Sequence, residues 1–183
     1  MIKNISKRIK KFTTLLSEVS YRIKKEQKIF FRIVDMNNGV VELHVKGKTS
    51  SMKKDVLDVI YETHIISGLS SPDACSLGVF YGYNLKSLCS GRNSNYPLLC
   101  ISNEGRYRIM SENRDGNIEF IDTKTDEKFC KCPIIIAKDY QIIEKFDPTQ
   151  ACYIGILAGI KSRKLEDNQQ KTTYENNVVP IFD

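Results

Sequence analysis

The sequence predicts an α+β protein: two tandem copies of a small antiparallel β unit, each a hairpin plus a strand closed by a helix, preceded by a long amphipathic helix. Three observations predict this class: an internal repeat, turn signals within alternating apolar stretches, and helix-capping sequences at equivalent places in both copies. The predicted segments are a basic amphipathic helix, a first repeat, a connecting loop, a second repeat and a flexible tail. They span residues 1–27, 28–83, 84–104, 105–160 and 161–183, in that order.

The internal repeat aligns residues 39–82 with residues 116–159 at a constant shift of 77. The alignment needs no gap, and nine of its 44 positions are identical. The clearest match is Ala-Cys-Ser-Leu-Gly at 74–78 against Ala-Cys-Tyr-Ile-Gly at 151–155. A repeat of this length indicates one structural unit used twice.

The amino-terminal segment carries an apolar residue at every third or fourth position. We call this set the seam: Ile2, Ile5, Ile9, Phe12, Leu16, Val19 and Ile23. The spacing places the seam on one face of a helix, opposite lysine and arginine. Three surfaces suit such a face: the chain's own domain, a helix of another chain or copy, and a membrane interface. The positions flanking the seam offer no ion pairs to fix a homodimer, and the chain has no tryptophan to anchor it at a membrane boundary.

The net charge of +6 is concentrated at this same end. Residues 1–32 contain ten Lys or Arg and two Glu, a sum of +8, so the rest of the chain sums to −2. A nucleic-acid-binding domain more often spreads a basic patch across its body, so a protein partner is favoured over nucleic acid. No apolar run approaches the ~20 residues of a membrane span, and the amino terminus lacks the continuous apolar centre of a secretory signal. We therefore expect a cytoplasmic protein without a transmembrane segment.

Each repeat is predicted to open with a β-hairpin. Alternating apolar residues flank Asn38-Gly39 in the first copy and Asp115-Gly116 in the second. Both dipeptides suit the left-handed backbone of a tight hairpin turn. The second turn has one extra residue, which explains why the match loses register just upstream of the two glycines.

The stretch that follows each hairpin permits two interpretations. In the first copy, residues 52–66 have apolar spacing that fits a helix. In the second, residues 129–143 contain Pro133 and a β-branched run, which is typical of a strand. Since the copies should share secondary structure, strands are favoured in both, with residues 56–61 as the strand of the first copy and a helix as the alternative.

Each repeat closes with a predicted helix. The capping boxes start at Ser70 and Asp147, and a proline lies within each first turn. Small residues then recur four apart, forming two strips: Ala74, Gly78, Gly82 and Ala151, Gly155, Gly159. Because glycine inside a helix costs roughly 1 kcal/mol relative to alanine, we expect these strips to pack closely on another backbone. The sister helix across a pseudo-twofold axis is the favoured neighbour, and the copy's own sheet is the alternative.

The six cysteines form no recognisable site. Cys75 and Cys152 occupy the same repeat position among apolar helical neighbours, so they are predicted to be buried core residues. The other four do not have the two-to-four-residue spacing of zinc sites, and a zinc-stabilised module is the weaker alternative. These four are Cys89, Cys100, Cys130 and Cys132.

The remaining chemistry does not indicate an enzyme. His44 and His64, the two histidines, have no cysteine, serine or carboxylate at a catalytic spacing, and no phosphate-binding loop is present. We therefore predict no catalytic residues, no cofactor and no metal. The function expected is a non-catalytic adaptor or assembly subunit that binds protein, by hetero-complex formation or self-association, through the amino-terminal helix, the apolar carboxyl-terminal tail, or both. The alternative is a nucleic-acid-binding regulator that uses the basic helix.

Overall fold

The computed structural model describes residues 29–88 and 104–177. The predicted helix over residues 1–27 and all seven residues of the seam lie outside the described residues. So do Cys89, Cys100 and the apolar end of the tail, residues 178–183.

Two three-stranded antiparallel sheets form the β part of the described chain. The first sheet contains β1 (Phe31–Asn37), β2 (Val40–Val45) and β3 (Ser51–Asp55). The second contains β4 (Tyr107–Glu112), β5 (Ile118–Asp122) and β6 (Lys128–Lys131). In both sheets the strands lie in chain order with the second strand in the middle. The α+β class with two similar sheet units is therefore confirmed.

Each sheet is followed by two short helices and then a long one. The first set is α1 (Val56–Tyr61), α2 (Thr63–Ile66) and α3 (Ser71–Tyr83), with a further short helix α4 (Leu85–Leu88). The second set is α5 (Pro133–Lys138), α6 (Tyr140–Ile143) and α7 (Pro148–Asn177). The first residues of α1, α2 and α3 lie 77 positions before those of α5, α6 and α7. The repeat in the sequence is thus a repeat of whole elements. None of the described helices is long and apolar enough to cross a membrane.

The prediction that residues 56–61 form a strand is wrong. In each copy the third strand of the sheet is short, and a helix begins within the residues predicted to form a strand. Asp55 ends β3 and caps α1, because its side chain accepts a hydrogen bond of 2.7 Å from the backbone N–H of Leu57. Pro133 occupies the first turn of α5. Backbone N–H groups in a first turn have no acceptor within the helix, so the missing N–H of proline costs no hydrogen bond there. The proline that suggested the start of a strand is therefore the start of a helix.

The two hairpins share a bulge as well as a turn. The register of the first shifts between Ile33 and Asp35, and that of the second shifts between Ile109 and Ser111. A bulge adds one residue to a strand and turns its side chain away from the partner strand. Val34 and Met110, the residues inside the bulges, are accordingly more than half exposed.

Helices α3 and α7 pack backbone to backbone along the two glycine strips. A Cβ on Gly78 would overlap the carbonyl oxygen of Cys152, and a Cβ on Gly155 would overlap that of Cys75. The same exchange recurs further along, where Gly82 meets Ile156 and Gly159 meets Val79. The contacts advance along α7 as they advance along α3, so the two helices run in the same direction. Each glycine meets residues close to its own counterpart in the other repeat, as a pseudo-twofold axis requires.

The helix pair contributes to two hydrophobic cores. The first core lies beneath β1–β3 and includes Cys152 and Ile156, both from α7. The second lies beneath β4–β6 and includes Cys75 of α3, with Val79 packed against it. Each copy therefore completes the core of the other. The hydroxyl of Ser71 adds a polar link, donating to the carbonyl of Phe146 at 2.6 Å.

Helix α7 extends beyond the predicted boundary at residue 160, so the expected flexible tail begins with a helical segment. The charges there stabilise helix: Arg163 and Asp167 form an ion pair of 3.0 Å at i,i+4 spacing. Arg163 also lies 5.4 Å from the ring centre of Tyr83, whose hydroxyl bonds to Glu166. The polar composition that suggested a flexible tail is that of a helix whose side chains are mostly exposed.

Replacing Gly155 or Gly78 by leucine should lower the free energy of unfolding by about 1–3 kcal/mol, because the added side chain meets backbone that cannot rotate away. Alanine at Gly155 should also destabilise, although alanine favours helix by roughly 1 kcal/mol over glycine. Gln170→Ala, at an exposed position of α7, serves as the control. Urea denaturation measures the effect. A Gly155→Ala protein at least as stable as the parent would contradict the close contact.

Candidate functional site

The α3 groove is an apolar cavity of about 380 Å³ between α3 and α5. Ala137 of α5 forms one side, and α3 with its carboxyl-terminal cap forms the other. The residues on the α3 side are Cys75, Ser76, Val79, Phe80, Tyr83 and Asn84.

The α3 groove is open because two residues are small. At the pseudo-symmetric place, Tyr153 corresponds to Ser76 and Ile60 corresponds to Ala137. Tyr153 packs against the first core, and Ile60 is almost completely buried. In one half of the molecule this position is filled by the side chains of Tyr153 and Ile60. In the other half the corresponding side chains are the hydroxymethyl group of Ser76 and the methyl group of Ala137.

The α3 groove is lined by apolar and uncharged polar groups. Burial raises the pKa of the Cys75 thiol to about 12, so the thiol stays neutral and presents a small apolar surface. At the far end, the side-chain amide of Asn84 donates to the carbonyl of Phe80 at 2.9 Å. The hydroxyl of Tyr83 bonds to Glu166. The groove thus has an apolar floor and a polar end.

A second apolar feature lies where the described chain begins. Ile29 and Phe30, which we call the apolar corner, are 48% and 51% exposed. The ammonium group of Lys46 lies 5.9 Å from the ring centre of Phe30, and Gly68 leaves room for the carbonyl of Ile29. At this end of the hairpin the repeat shift is 76, so Arg106 corresponds to Phe30. The second copy is therefore charged where the first is apolar.

The charged corner of the second copy is built around Asp122, which is 2% exposed. The guanidinium of Arg106 donates to this carboxylate from Nη2 at 2.7 Å and from Nε at 3.0 Å. The Lys124 backbone N–H adds a bond of 2.9 Å. These hydrogen bonds, the one from Arg106 foremost, hold the pKa of Asp122 below its usual value. The ring of Tyr107 has Arg106 and Lys145 within 6.0 Å and 5.1 Å of its centre.

A wider cavity of about 510 Å³ borders this charged corner and the start of α7. It is lined by Arg106, Lys145 and the carboxylates of Glu104, Glu144 and Asp147. Asp147 caps α7 by accepting a bond of 2.8 Å from the backbone N–H of Thr149. Since Arg106 is bound to Asp122 and Asp147 is bound to the helix end, we interpret these groups as structural.

The structure gives the cysteines and the histidines different surroundings. Cys75 and Cys152 are buried where the two repeats meet, and burial raises the pKa of Cys152 as it does that of Cys75. Within residues 29–88 and 104–177, no three His, Cys, Asp or Glu side chains are placed to hold a metal ion. His44 lies across the sheet from Arg32 and Ser51, and His64 lies 3.5 Å from Glu62.

Comparison with protein-family models, with curated proteins and with solved structures found no match for this chain. Function is therefore inferred from the chain itself. The α3 groove was not identified in the sequence, although the repeat contains its signal. The Ser76–Tyr153 mismatch lies inside the best-conserved stretch of the internal match, where a large side chain is exchanged for a small one.

Replacing Asp122 with asparagine should lower the melting temperature at pH 7 and flatten its dependence on pH. The folded-state pKa of Asp122 is depressed, so its contribution is present above the ordinary value of about 3.8 and is lost as pH falls through the lower folded value. The difference in melting temperature between the parent and Asp122→Asn should therefore narrow below about pH 4. Asp115→Asn, at an exposed turn position, is the control. A difference that stays constant down to pH 2 would contradict the assigned role.

Alkylation by iodoacetamide should separate the cysteines by burial. At pH 8 a thiol whose pKa is about 12 is ionised to about one part in 10⁴, so Cys75 should stay unmodified in the folded protein. Cys152 should behave in the same way, whereas the exposed Cys130 should react. Peptide mass spectrometry with and without denaturant gives the measurement. Labelling of native Cys75 as rapid as that of Cys130 would mean that the floor of the α3 groove is open to solvent.

Proposed function

We propose that this protein is a non-catalytic adaptor or assembly subunit that binds another protein through residues 1–27, with the carboxyl-terminal tail as a second contact. The observation that carries the proposal is the apolar corner. Ile29 and Phe30 are half exposed at the point where the basic segment joins the described body. They extend the apolar character of the seam onto the surface of the first repeat.

The size of the seam supports the same function. Seven apolar side chains in one helical register are costly to leave in water, because each aliphatic side chain gains about 1.5–3 kcal/mol on full burial. The seam therefore needs a surface to cover it. Lysines and arginines beside the seam would suit a partner helix with acidic flanks, since complementary flanking charges fix the pairing of helices.

The body suits the role of a rigid scaffold. Two cores share the α3–α7 pair, so the two repeats hold each other at a fixed distance. The cysteines nearest the centre are buried as neutral thiols, and the Arg106–Asp122 ion pair joins the residue before β4 to the end of β5. These are the features of a scaffold that positions a binding segment.

A nucleic-acid-binding regulator is the second candidate, and it rests on the basic residues at the start of the chain. Residues 1–32 carry a net charge of +8 while the rest of the chain sums to −2. In this case the basic face of the helix would contact phosphates, and binding would weaken steeply with salt. Binding through the apolar seam would weaken much less between 50 and 200 mM salt, because salt would screen only the flanking ion pairs.

Changing Phe12 and Leu16 to aspartate should abolish capture of the partner in a pull-down from the native host. The variant retains the full chain, and its melting temperature should match that of the parent. Thr13→Asp with Ser17→Asp is the matched control, since it adds the same two charges at the same spacing beside the seam. Full-length protein and a form lacking residues 1–27 are compared in the same pull-down.

Two results would overturn the adaptor proposal. If the protein that carries both Phe12→Asp and Leu16→Asp is unfolded, the seam belongs to the core. If capture survives in that variant but disappears at 200 mM salt or after nuclease treatment, the nucleic-acid candidate replaces it.

A further inference from the structure

The described residues that line the α3 groove give it an aromatic wall. Phe80 and Tyr83 both lie on its α3 side. Their counterparts in the second repeat, Leu157 and Ile160, are aliphatic. Because aromatic rings attract one another in tilted and offset arrangements, this wall favours an aromatic occupant over an aliphatic one of the same size.

The charged groups near the α3 groove favour an uncharged occupant. The hydroxyl of Tyr83 bonds to Glu166, and the guanidinium of Arg163 lies 5.4 Å from the Tyr83 ring centre. Arg163 is paired in turn with Asp167 at 3.0 Å. None of these three charged residues is among those that line the groove. A charged occupant would therefore lose hydration without gaining an ion pair from the lining.

The other repeat shows the size of group that fits. There the place of Ser76 is taken by Tyr153, which is partly buried against the first core. The place of Ala137 is taken by Ile60, which is almost completely buried. The cavity of about 380 Å³ lies between the two helices that carry the smaller side chains, α3 and α5. One aromatic ring with a small substituent therefore matches the space.

We propose that the α3 groove binds a small, uncharged compound with a single aromatic ring. On the inner side of the groove, Cys75 is buried and Val79 packs against the second core. A ring placed there would exchange water for apolar surface, which is the main driving force for such binding. The site uses only residues of the body, so it goes beyond the adaptor function proposed for residues 1–27.

The probe that tests this site is p-cresol, which is the side chain of tyrosine without its backbone. Titration of the full-length protein, followed by heteronuclear NMR, should give saturable shifts of the backbone amide signals of α3. We expect a Kd of about 1 mM, in keeping with the affinity of ligands of this size. Cyclohexanol, an uncharged ring of similar size, should bind about fivefold more weakly because it cannot form aromatic pairs.

Variants that copy residues of the other repeat place the binding in the α3 groove. Ser76→Tyr should weaken the binding of p-cresol about tenfold or more, because the new side chain and the ligand compete for one space. Ala137→Ile, which copies Ile60, should act in the same way and keeps the test decisive if Ser76→Tyr does not fold. Thr63→Tyr is the matched control. It copies Tyr140, which is 64% exposed, and should leave the Kd unchanged.

Three results would overturn the assignment. One is a titration with p-cresol that shows no saturation up to about ten times the expected Kd. Another is an unchanged affinity in both Ser76→Tyr and Ala137→Ile. The third is tighter binding to the protein that carries both Phe12→Asp and Leu16→Asp, or at lower protein concentration. That result would assign the groove to residues 1–27 or to a second copy.

The titration is independent of the pull-down that tests the adaptor function. It uses no partner protein, and the variants that block the α3 groove leave every residue of the seam unchanged. A failure of one proposal can therefore be told apart from a failure of the other.

Discussion

The backbone contact between α3 and α7 is the constraint on which the rest of the structure depends. Each helix places a carbonyl oxygen where a side chain of the other would begin, at Gly78 and at Gly155. Because the axes lie so close, Cys152 of α7 reaches the first core and Cys75 of α3 reaches the second. A larger side chain at either glycine would part the helices and loosen both cores together. The two repeats are therefore one cooperative body at their centre, even though their sheets make no common hydrogen-bond ladder.

Symmetry at this centre contrasts with divergence at the surface. The glycines and cysteines are identical in both copies, since a contact about a twofold axis constrains both sides equally. Away from the axis, the two copies differ. The second copy has a charged corner around Asp122, whereas the first has the apolar Phe30 exposed at the corresponding corner. The α3 groove lies at another such difference, where Ser76 stands opposite Tyr153 in the repeat alignment.

Two of these differences lie in the first repeat. The apolar corner is at the start of the described chain, and α3 begins a few residues after Gly68, whose carbonyl accepts a hydrogen bond from the backbone N–H of Phe31 in β1. The body is close to neutral, so the basic residues at the start of the chain neither strongly attract nor repel it as a whole. At the end of α3, Tyr83 contacts both the carboxylate of Glu166 and the guanidinium of Arg163, so charges of both signs lie beside the α3 groove.

The sequence by itself determined the repeat, the hairpin turns, the capped starts of α3 and α7 and the unusual glycine strips, because these depend on short-range backbone preferences that act over a few residues. It did not determine where β3 gives way to α1 or where β6 gives way to α5: the apolar runs there, one of them next to Pro133, are compatible with strand or helix, and packing beneath the sheet decides. Nor did it set the length of α7, whose polar end is helical beside Tyr83. Only the tertiary structure assigned the glycine strips to each other and opened the α3 groove, since both depend on the distance between elements far apart in the chain.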